Sequence, residues 1–169
     1  MSWRNRITER TTAKAADLLD HQGNWRIHPD AQRAGMVGVL DEVGIIDALT
    51  VYHSERAGGL VIIDGHLRKS IEPEQEWPVD VLDVTDAEAD YILATKDPLA
   101  MAAVADREKL GALLQSVKVG DSRVAAMLSE LAGREGVIPP DVEFPEYDES
   151  IADEVEYLEC PECGHRWPK

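Results

Sequence analysis

The stretch "VIIDGHLRKS", residues 61–70, decides how this sequence folds. Its three β-branched residues predict a buried strand, and Gly65 after Asp64 predicts that the chain then turns into a helix. The first N–H groups of a helix attract anions, and a glycine lets a ligand approach the backbone closely. Arg68, one turn later, has forked donors that bind phosphate, and His66 can donate a hydrogen bond or move a proton. The stretch predicts a phosphate-binding turn. A strand–helix junction with a capping Asp64 and a solvated Arg68 is the alternative.

The composition indicates a folded protein with an aliphatic core. Of the 169 residues, 44% are hydrophobic but only 5% are aromatic. The formal net charge of -16 argues against a protein that grips nucleic acid over its whole surface, because phosphate contacts come from lysine and arginine. No apolar run is long enough to span a bilayer, and the N-terminus lacks a secretory signal. We therefore expect no membrane partner and a cytoplasmic location.

The chain divides into four parts by composition. Residues 1–20 are a basic lead-in that we expect to be helical, and residues 21–133 form the folded domain. Residues 134–158 are rich in acids and proline, which predicts a mobile acidic linker, and residues 159–169 hold both cysteines. Within the domain, apolar periodicity and turn residues predict helices over 31–44, from 65 to before Pro73, and over 85–96, 106–117 and 121–133, and strands over 47–54, 60–64 and 77–84.

The order of these segments resembles the ParB/sulfiredoxin-like family, also called the ParB-like nuclease domain. A helix ending in glycine (LDEVG), a hairpin turn (HSERAGG), a strand ending in IDGHLR and the strand WPVDVLDV follow one another as in that family. The segments NWRIHP and LATKDP are similar to segments of its small phage and actinobacterial members. The resemblance spans residues 20–117. It implies an α+β fold, in which a small mixed β-sheet packs with helices and is followed by further helices and a C-terminal tail.

The resemblance also implies that the chain binds a nucleotide, CTP or ATP with Mg²⁺, and acts in phage or mobile-element DNA metabolism. In the family, the G-x-x-R turn holds nucleotide phosphates. The matching positions are Gly65, His66 and Arg68 for the phosphates, with Asp64 beside them and Asn24, Arg26 and His28 lining the same pocket. Lys69 and Ser70 depart from the partitioning-ParB motif, which puts CTP-clamp behaviour in doubt. The sulfiredoxin cysteine is absent, which argues against sulfinic-acid repair.

Three residues are candidates for catalysis in such a phosphate site: Glu42, Asp64 and His66. Glu42 stands two residues before Gly44, which is expected to end a helix that Asp30 is expected to cap. Acids at the C-terminal end of a helix oppose its dipole, which suggests another role, such as activating a nucleophile or binding Mg²⁺. A solvated last turn of the helix explains the same acids. Both nucleotide hydrolysis and phosphoryl transfer are compatible with this set.

Residues 160–165, CPECGH, are similar to the knuckle of a zinc ribbon. Cys160 and Cys163 would converge on one Zn²⁺, and His165 can supply a third ligand. Structural zinc takes four ligands, so a fourth would come from a second copy or a partner. The alternative is a degenerate half-ribbon with free thiols. In either case we expect an interaction element, tethered by the acidic linker, for DNA or a DNA-processing protein.

Two further functions stay open beside nucleotide binding. A non-catalytic adaptor would use the fold as a scaffold and the tail to recruit a DNA-processing enzyme. A metal-dependent nuclease fits the family label, but the sequence has no dense carboxylate cluster. The oligomeric state, a homodimer included, is also open. Of the remaining histidines, His21 and His53 are expected at the surface.

Overall fold

The computed structural model describes residues 2–137, 157–159 and 163–168 of the chain. The chain divides into two compact units, residues 1–138 and residues 139–169, and each is described by itself. Within the described residues, no helix combines the length and the apolar character needed to cross a membrane.

The first unit alternates short strands with helices. A single 3₁₀ turn, Ala15–Asp17, joins its first two strands. The other elements are β1 (Ile7–Lys14), β2 (Leu19–Asp20), α1 (Asp30–Val43), β3 (Leu49–Ser54), β4 (Gly59–Asp64), α2 (His66–Lys69), β5 (Glu76–Leu82), α3 (Asp86–Met101), α4 (Arg107–Ser116) and α5 (Ser122–Glu135).

The five strands form one mixed sheet in the order β1-β5-β3-β4-β2. The β3–β4 and β1–β5 pairs are antiparallel, whereas β3 with β5 and β2 with β4 run parallel. The antiparallel hairpin of β3 and β4 turns at residues 55–58, where Gly58 has a φ of 71°. The three strands expected over 47–54, 60–64 and 77–84 are thereby confirmed as the centre of the sheet.

Helices cover both faces of this sheet. Val51 and its neighbour Tyr52 point to opposite faces, as successive strand residues do. Val51 belongs to a buried cluster that includes Trp77, and Leu40 of α1 packs against that cluster. Tyr52 belongs to a second buried cluster that includes Ala89 of α3. This arrangement confirms the expected α+β fold of a small mixed sheet packed with helices.

Helix α5 packs closely on α1 because the contact face of α1 carries a glycine. A Cβ added at Gly38 would lie 2.7 Å from Val124 Cγ2, so only a glycine permits this separation. Asp121 caps α5, since its side chain accepts hydrogen bonds from the N–H groups of Arg123 and Val124. The capped start of α5 lies directly against Gly38 of α1, because the same Cβ would also lie 2.7 Å from Asp121 Oδ1.

The expected N-terminal helix is wrong. Residues 7–14 form β1, an edge strand that pairs with β5 along its length. Its residues are mostly exposed on both faces, so the strand lacks the apolar alternation that would predict it. Its threonines favour a strand because their side chains are β-branched. This signal is weaker than an alternation of apolar and polar residues.

Four smaller expectations also need correction. The helix expected over 85–96, α3, continues to Met101 with Pro98 inside it. Asp30 does not cap α1 but is its first residue, and Pro29 occupies the cap position without a side-chain hydrogen bond. Helix α2 ends at Lys69 and does not continue towards Pro73. His21 was expected at the surface but is 5% exposed, whereas His53 is exposed as expected. Gly44 does end α1, with a φ of 92°.

The second unit is described by two short strands and part of the loop between them. β6 (Tyr157–Glu159) and β7 (Arg166–Pro168) pair antiparallel, and Gly164 in the loop has a φ of 71°. Residues 138–156, most of the expected acidic linker, lie outside the described residues. The proposed limits of the linker and the tail stay predictions.

Candidate functional site

One cleft of about 530 Å³ brings together seven of the residues that the sequence singled out. It lies where β4 ends, and the segment that leads into α1 forms another of its walls. Four of the seven come from the β4–α2 turn and three from the segment before α1. They are Asp64, Gly65, His66 and Arg68, together with Asn24, Arg26 and His28. Residues far apart in the sequence therefore line the same cleft.

The tight turn between β4 and α2 depends on Gly65. Its φ of 98° lies in the left-handed region that favours glycine. A Cβ at this position would collide with the side chain of Leu49 and lie 3.0 Å from Arg68 Nη2. The missing side chain thus lets the Arg68 guanidinium lie against the turn itself.

Two carboxylates hold the Arg68 side chain, which is only 12% exposed. Its Nη1 lies 2.9 Å from Asp47 Oδ2, and its Nη2 donates to Asp64 Oδ2 at 3.3 Å. The same oxygen of Asp64 lies 2.8 Å from Lys96 Nζ. Lys96 is a cleft residue that sequence reasoning did not single out. Its only sequence signal was its place within the LATKDP segment.

Arg26 reaches the cleft from the segment that precedes α1. Its Nε donates to Asp97 Oδ2 at 2.8 Å, and its guanidinium carbon lies 5.0 Å from the ring centre of Trp25. Asn24 supports the same segment, because its Oδ1 accepts a hydrogen bond from the backbone N–H of Arg26. His28 Nδ1 lies 3.0 Å from Gln32 Oε1 on α1. The guanidinium of Arg26 is thus oriented before any ligand is bound.

Three cationic and three carboxylate side chains line the cleft. Arg26, Arg68 and Lys96 each contact a carboxylate of Asp47, Asp64 or Asp97. The partly exposed pairs Arg26–Asp97 and Lys96–Asp64 are worth only about 0–1 kcal/mol each. An anionic ligand can therefore take over these cations at small cost, leaving carboxylates available for a cation that accompanies it.

His66 has a buried ring nitrogen at the cleft. Among the residues that the structure describes, no group hydrogen-bonds its Nε2. Burial lowers the pKa of His66, although the nearby carboxylates of Asp20 and Asp64 act in the opposite direction. The imidazole is therefore neutral at neutral pH. It can donate or accept one hydrogen bond or accept a proton, but it does not supply a fixed positive charge.

The floor of the cleft is apolar. Met36 and Leu40 of α1, Ile63, Leu67 and the buried ring of Trp77 contribute to it. A ligand with a charged end and a flat or apolar body would match a polar wall beside an apolar floor.

Glu42 lies outside the cleft. Its Oε1 accepts hydrogen bonds from the backbone N–H groups of Gly120 and Asp121, at 2.5 and 2.7 Å. Asp41 beside it contacts Arg123 Nη2 at 2.7 Å. These contacts join the end of α1 to the start of α5 and account for acids at the end of a helix. A catalytic role for Glu42 stays a prediction.

The expected zinc ligands are described only in part. Cys160 lies outside the described residues, while Cys163 and His165 are both exposed. Within the ranges that the structure describes, no group of three or more His, Cys, Asp or Glu side chains is arranged to hold a metal. The zinc site stays a prediction.

Comparison with solved structures agrees with this architecture. No protein-family model and no curated protein matches the chain. Among solved structures, it is similar to the C-terminally truncated chromosome-partitioning protein ParB from Caulobacter crescentus, complexed with CTP-γ-S. The TM-score is 0.54 and the identity 18%, over 73% of this chain and 79% of that one. At this identity the likeness shows the fold alone.

A second solved structure, the C2221 form of a Pnob8-like ParB-N domain, also matches. It has a TM-score of 0.42 and 13% identity, over 95% of this chain and 56% of that one.

Proposed function

We propose that this chain is a ParB-like nucleotide-binding protein whose cleft holds the phosphates of CTP or ATP. One observation carries the proposal: the Gly65–Arg68 turn and the segment with Asn24, Arg26 and His28 line a single cleft. The ParB of similar fold is complexed with a CTP analogue, which supports the same use of the fold here. The expected setting is DNA metabolism of a phage or mobile element.

In this proposal, the β4–α2 turn receives the phosphate chain. Gly65 permits close approach of the phosphates to the backbone, and Arg68 binds them through its forked donors. Arg26 and Lys96 flank the phosphates from the other walls of the cleft. The apolar floor takes the base, which matches a nucleotide better than inorganic phosphate.

The cleft residues fit a Mg²⁺ that arrives with the nucleotide. Asp47 and Asp64 offer carboxylate oxygens beside the cations that would move to the phosphates. Mg²⁺ is usually held by one or two carboxylates, substrate phosphates and water, so a full protein cage is not required. Bound there, it would neutralise phosphate charge.

Hydrolysis or phosphoryl transfer is proposed as the chemistry of the same site. A neutral His66 can accept a proton from an attacking water or hydroxyl group, and Asp64 can orient a cation beside it. Glu42 would need to leave its contacts with α5 to take part.

Nucleotide titration by calorimetry tests the proposal, with CTP and ATP, each with and without Mg²⁺. We expect the wild type to bind and Arg68→Ala to bind about 10- to 100-fold more weakly, as for loss of charge-assisted hydrogen bonds. Arg10→Ala is the matched control, because Arg10 is an exposed arginine on the edge strand, pairs with Asp80 and does not line the cleft. A wild type that binds no nucleotide would overturn the proposal.

For the tail, we propose that Cys160, Cys163 and His165 hold Zn²⁺ and that the tail binds DNA or a DNA-processing protein. The antiparallel pairing of β6 with β7 supports this, because the three residues stand between these two strands in the sequence. A second copy of the chain could complete the ligand set and form a homodimer. Equal zinc content in the wild type and Cys160→Ser would sink the zinc proposal.

A further inference from the structure

The segment that brings Asn24, Arg26 and His28 to the cleft, residues 22–28, begins directly after a buried histidine. We infer that His21 is a positioning residue for nucleotide binding: it fixes this segment to α3 and so places Arg26 against the cleft. The inference rests on the proposed function. His21 itself does not line the cleft and acts only through the segment.

The bonds of the His21 ring define its tautomer. The backbone N–H of Gly23 donates to Nδ1 at 3.0 Å, so Nδ1 carries no proton and Nε2 does. Nε2 lies 3.2 Å from Asp90 Oδ1, an electrostatic contact without hydrogen-bond geometry. The ring is 5% exposed and its centre lies 6.2 Å from that of Tyr52. The hydrogen bond at Nδ1, the negative charge beside Nε2 and burial together favour one orientation of the ring.

Asp90 is a fixed partner for this ring. Arg56 donates to both of its carboxylate oxygens, at 2.9 and 3.2 Å. These hydrogen bonds lower the pKa of Asp90, so the carboxylate stays charged at neutral pH. The protonated Nε2 of His21 therefore faces a permanent negative charge.

Both ends of the segment are attached to the same side of α3. Asp90 contacts His21 directly before the segment, and Asp97 accepts from Arg26 near its end. Two residues seven positions apart lie on one face of a helix, about two turns from each other. The segment thus lies along α3 between these two contacts, and Lys96 on the same helix faces Asp64 of the β4–α2 turn.

The backbone of the segment folds around the imidazole. The N–H of Asn24 donates to the carbonyl oxygen of His21 at 3.0 Å. A Cβ at Gly23 would lie 3.2 Å from His21 Nδ1, so the chain passes close to the ring. Without the imidazole, the Gly23 N–H loses its acceptor and the start of the segment loses its contact with Asp90. Arg26 would keep its contacts with Asp97 and the Trp25 ring, but its segment would lose one of its two attachments to α3.

A double-mutant cycle tests this role by calorimetric titration of CTP with Mg²⁺. His21→Leu, which keeps the bulk but not the nitrogens, should weaken binding about five- to tenfold. If His21 acts through Arg26, Arg26→Ala should weaken CTP binding less than about twofold in the His21→Leu background, because the effects of coupled residues are not additive. Arg68→Ala should keep its full effect there. Additive effects for both arginines would overturn the inference.

His21→Asn serves as a rescue variant, because the Asn oxygen can accept from the Gly23 N–H in place of Nδ1. It should recover at least half of the lost affinity on a logarithmic scale. No recovery, in a variant that melts like the wild type, would count against the inference.

A ligand-free measurement separates this inference from the proposed function. Hydrogen exchange of the amides of residues 22–28 should speed up at least tenfold in His21→Leu. It should not change in His53→Leu, which replaces an exposed histidine. If the wild type binds no nucleotide, the proposed function fails, while faster exchange still shows that His21 holds the segment. Unchanged exchange in His21→Leu overturns the positioning role whatever the titration shows.

Discussion

At Gly65, a single methyl group is enough to disturb the cleft. Alanine there would have to adopt a φ of 98° and would meet the side chain of Leu49. The left-handed backbone alone costs about 1–2 kcal/mol, and the collision adds to it. We expect Gly65→Ala to lower the free energy of unfolding in urea by at least this amount and to weaken nucleotide binding.

Gly133→Ala is the matched control for that substitution. A Cβ at Gly133 in α5 meets no atom within 4 Å, and its backbone is helical. Alanine should therefore stabilise the protein by about 0.5–1 kcal/mol, because glycine is a poor helix former. Equal effects of the two substitutions would contradict the role assigned to the β4–α2 turn.

His66 makes a testable contribution to the pH dependence of stability. Burial lowers its pKa in the folded state, so below about pH 6.5 the unfolded chain takes up the proton more readily. The contribution of His66 to stability is present above pH 6.5 and is lost as the pH falls towards the lowered folded pKa. We expect the melting temperature of His66→Gln to fall less than that of the wild type between pH 7.5 and 5.5. Equal decreases in the melting temperatures of the wild type and His66→Gln would show that burial of the ring has no energetic consequence.

The sequence predicted the residues that would contact a ligand better than the residues that hold them in place. Gly65, His66 and Arg68 stand together in one short motif, so local chemistry was enough to single them out. Lys96 was missed because it reaches the cleft only when α3 packs across the end of β4. His21 was expected at the surface because its partners, Tyr52 and Asp90, are distant in sequence and come close only on folding.

At the scale of elements, predictability followed the apolar pattern of each segment. The strands β3, β4 and β5 are buried and apolar, and their pattern placed them within two residues of the observed bounds. The edge strand β1 has few buried residues, so its pairing with β5 left no hydrophobic pattern to read. Elements that are held by their neighbours more than by their own sequence are the ones that were missed.

The contact between α1 and α5 offers a test of the role of Glu42. Its carboxylate accepts the N–H groups of Gly120 and Asp121 just before α5. Loss of a hydrogen-bond acceptor usually costs about 0.5–1.5 kcal/mol. We expect Glu42→Ala to lower the free energy of unfolding by this amount and to leave nucleotide affinity unchanged. Glu42→Gln, which keeps an acceptor oxygen, should lose less stability.

The catalytic alternative for Glu42 makes the opposite prediction. If Glu42 activates a nucleophile, both variants should abolish nucleotide turnover, and the glutamine variant should do so without loss of stability. Thermal melting and turnover measured on the same two variants therefore separate a helix-joining residue from a catalytic one.

For the whole molecule, the cleft and the tail are expected to be separable. Every described residue that lines the cleft lies between Asn24 and Met127, within the first compact unit. A chain ended at residue 138 should therefore fold, melt within a few degrees of the full chain and bind nucleotide within about twofold of its affinity. It should lose any zinc and any partner held by the tail. A truncated chain that keeps its circular dichroism spectrum but binds nucleotide far more weakly would show that the tail contributes to the ligand site.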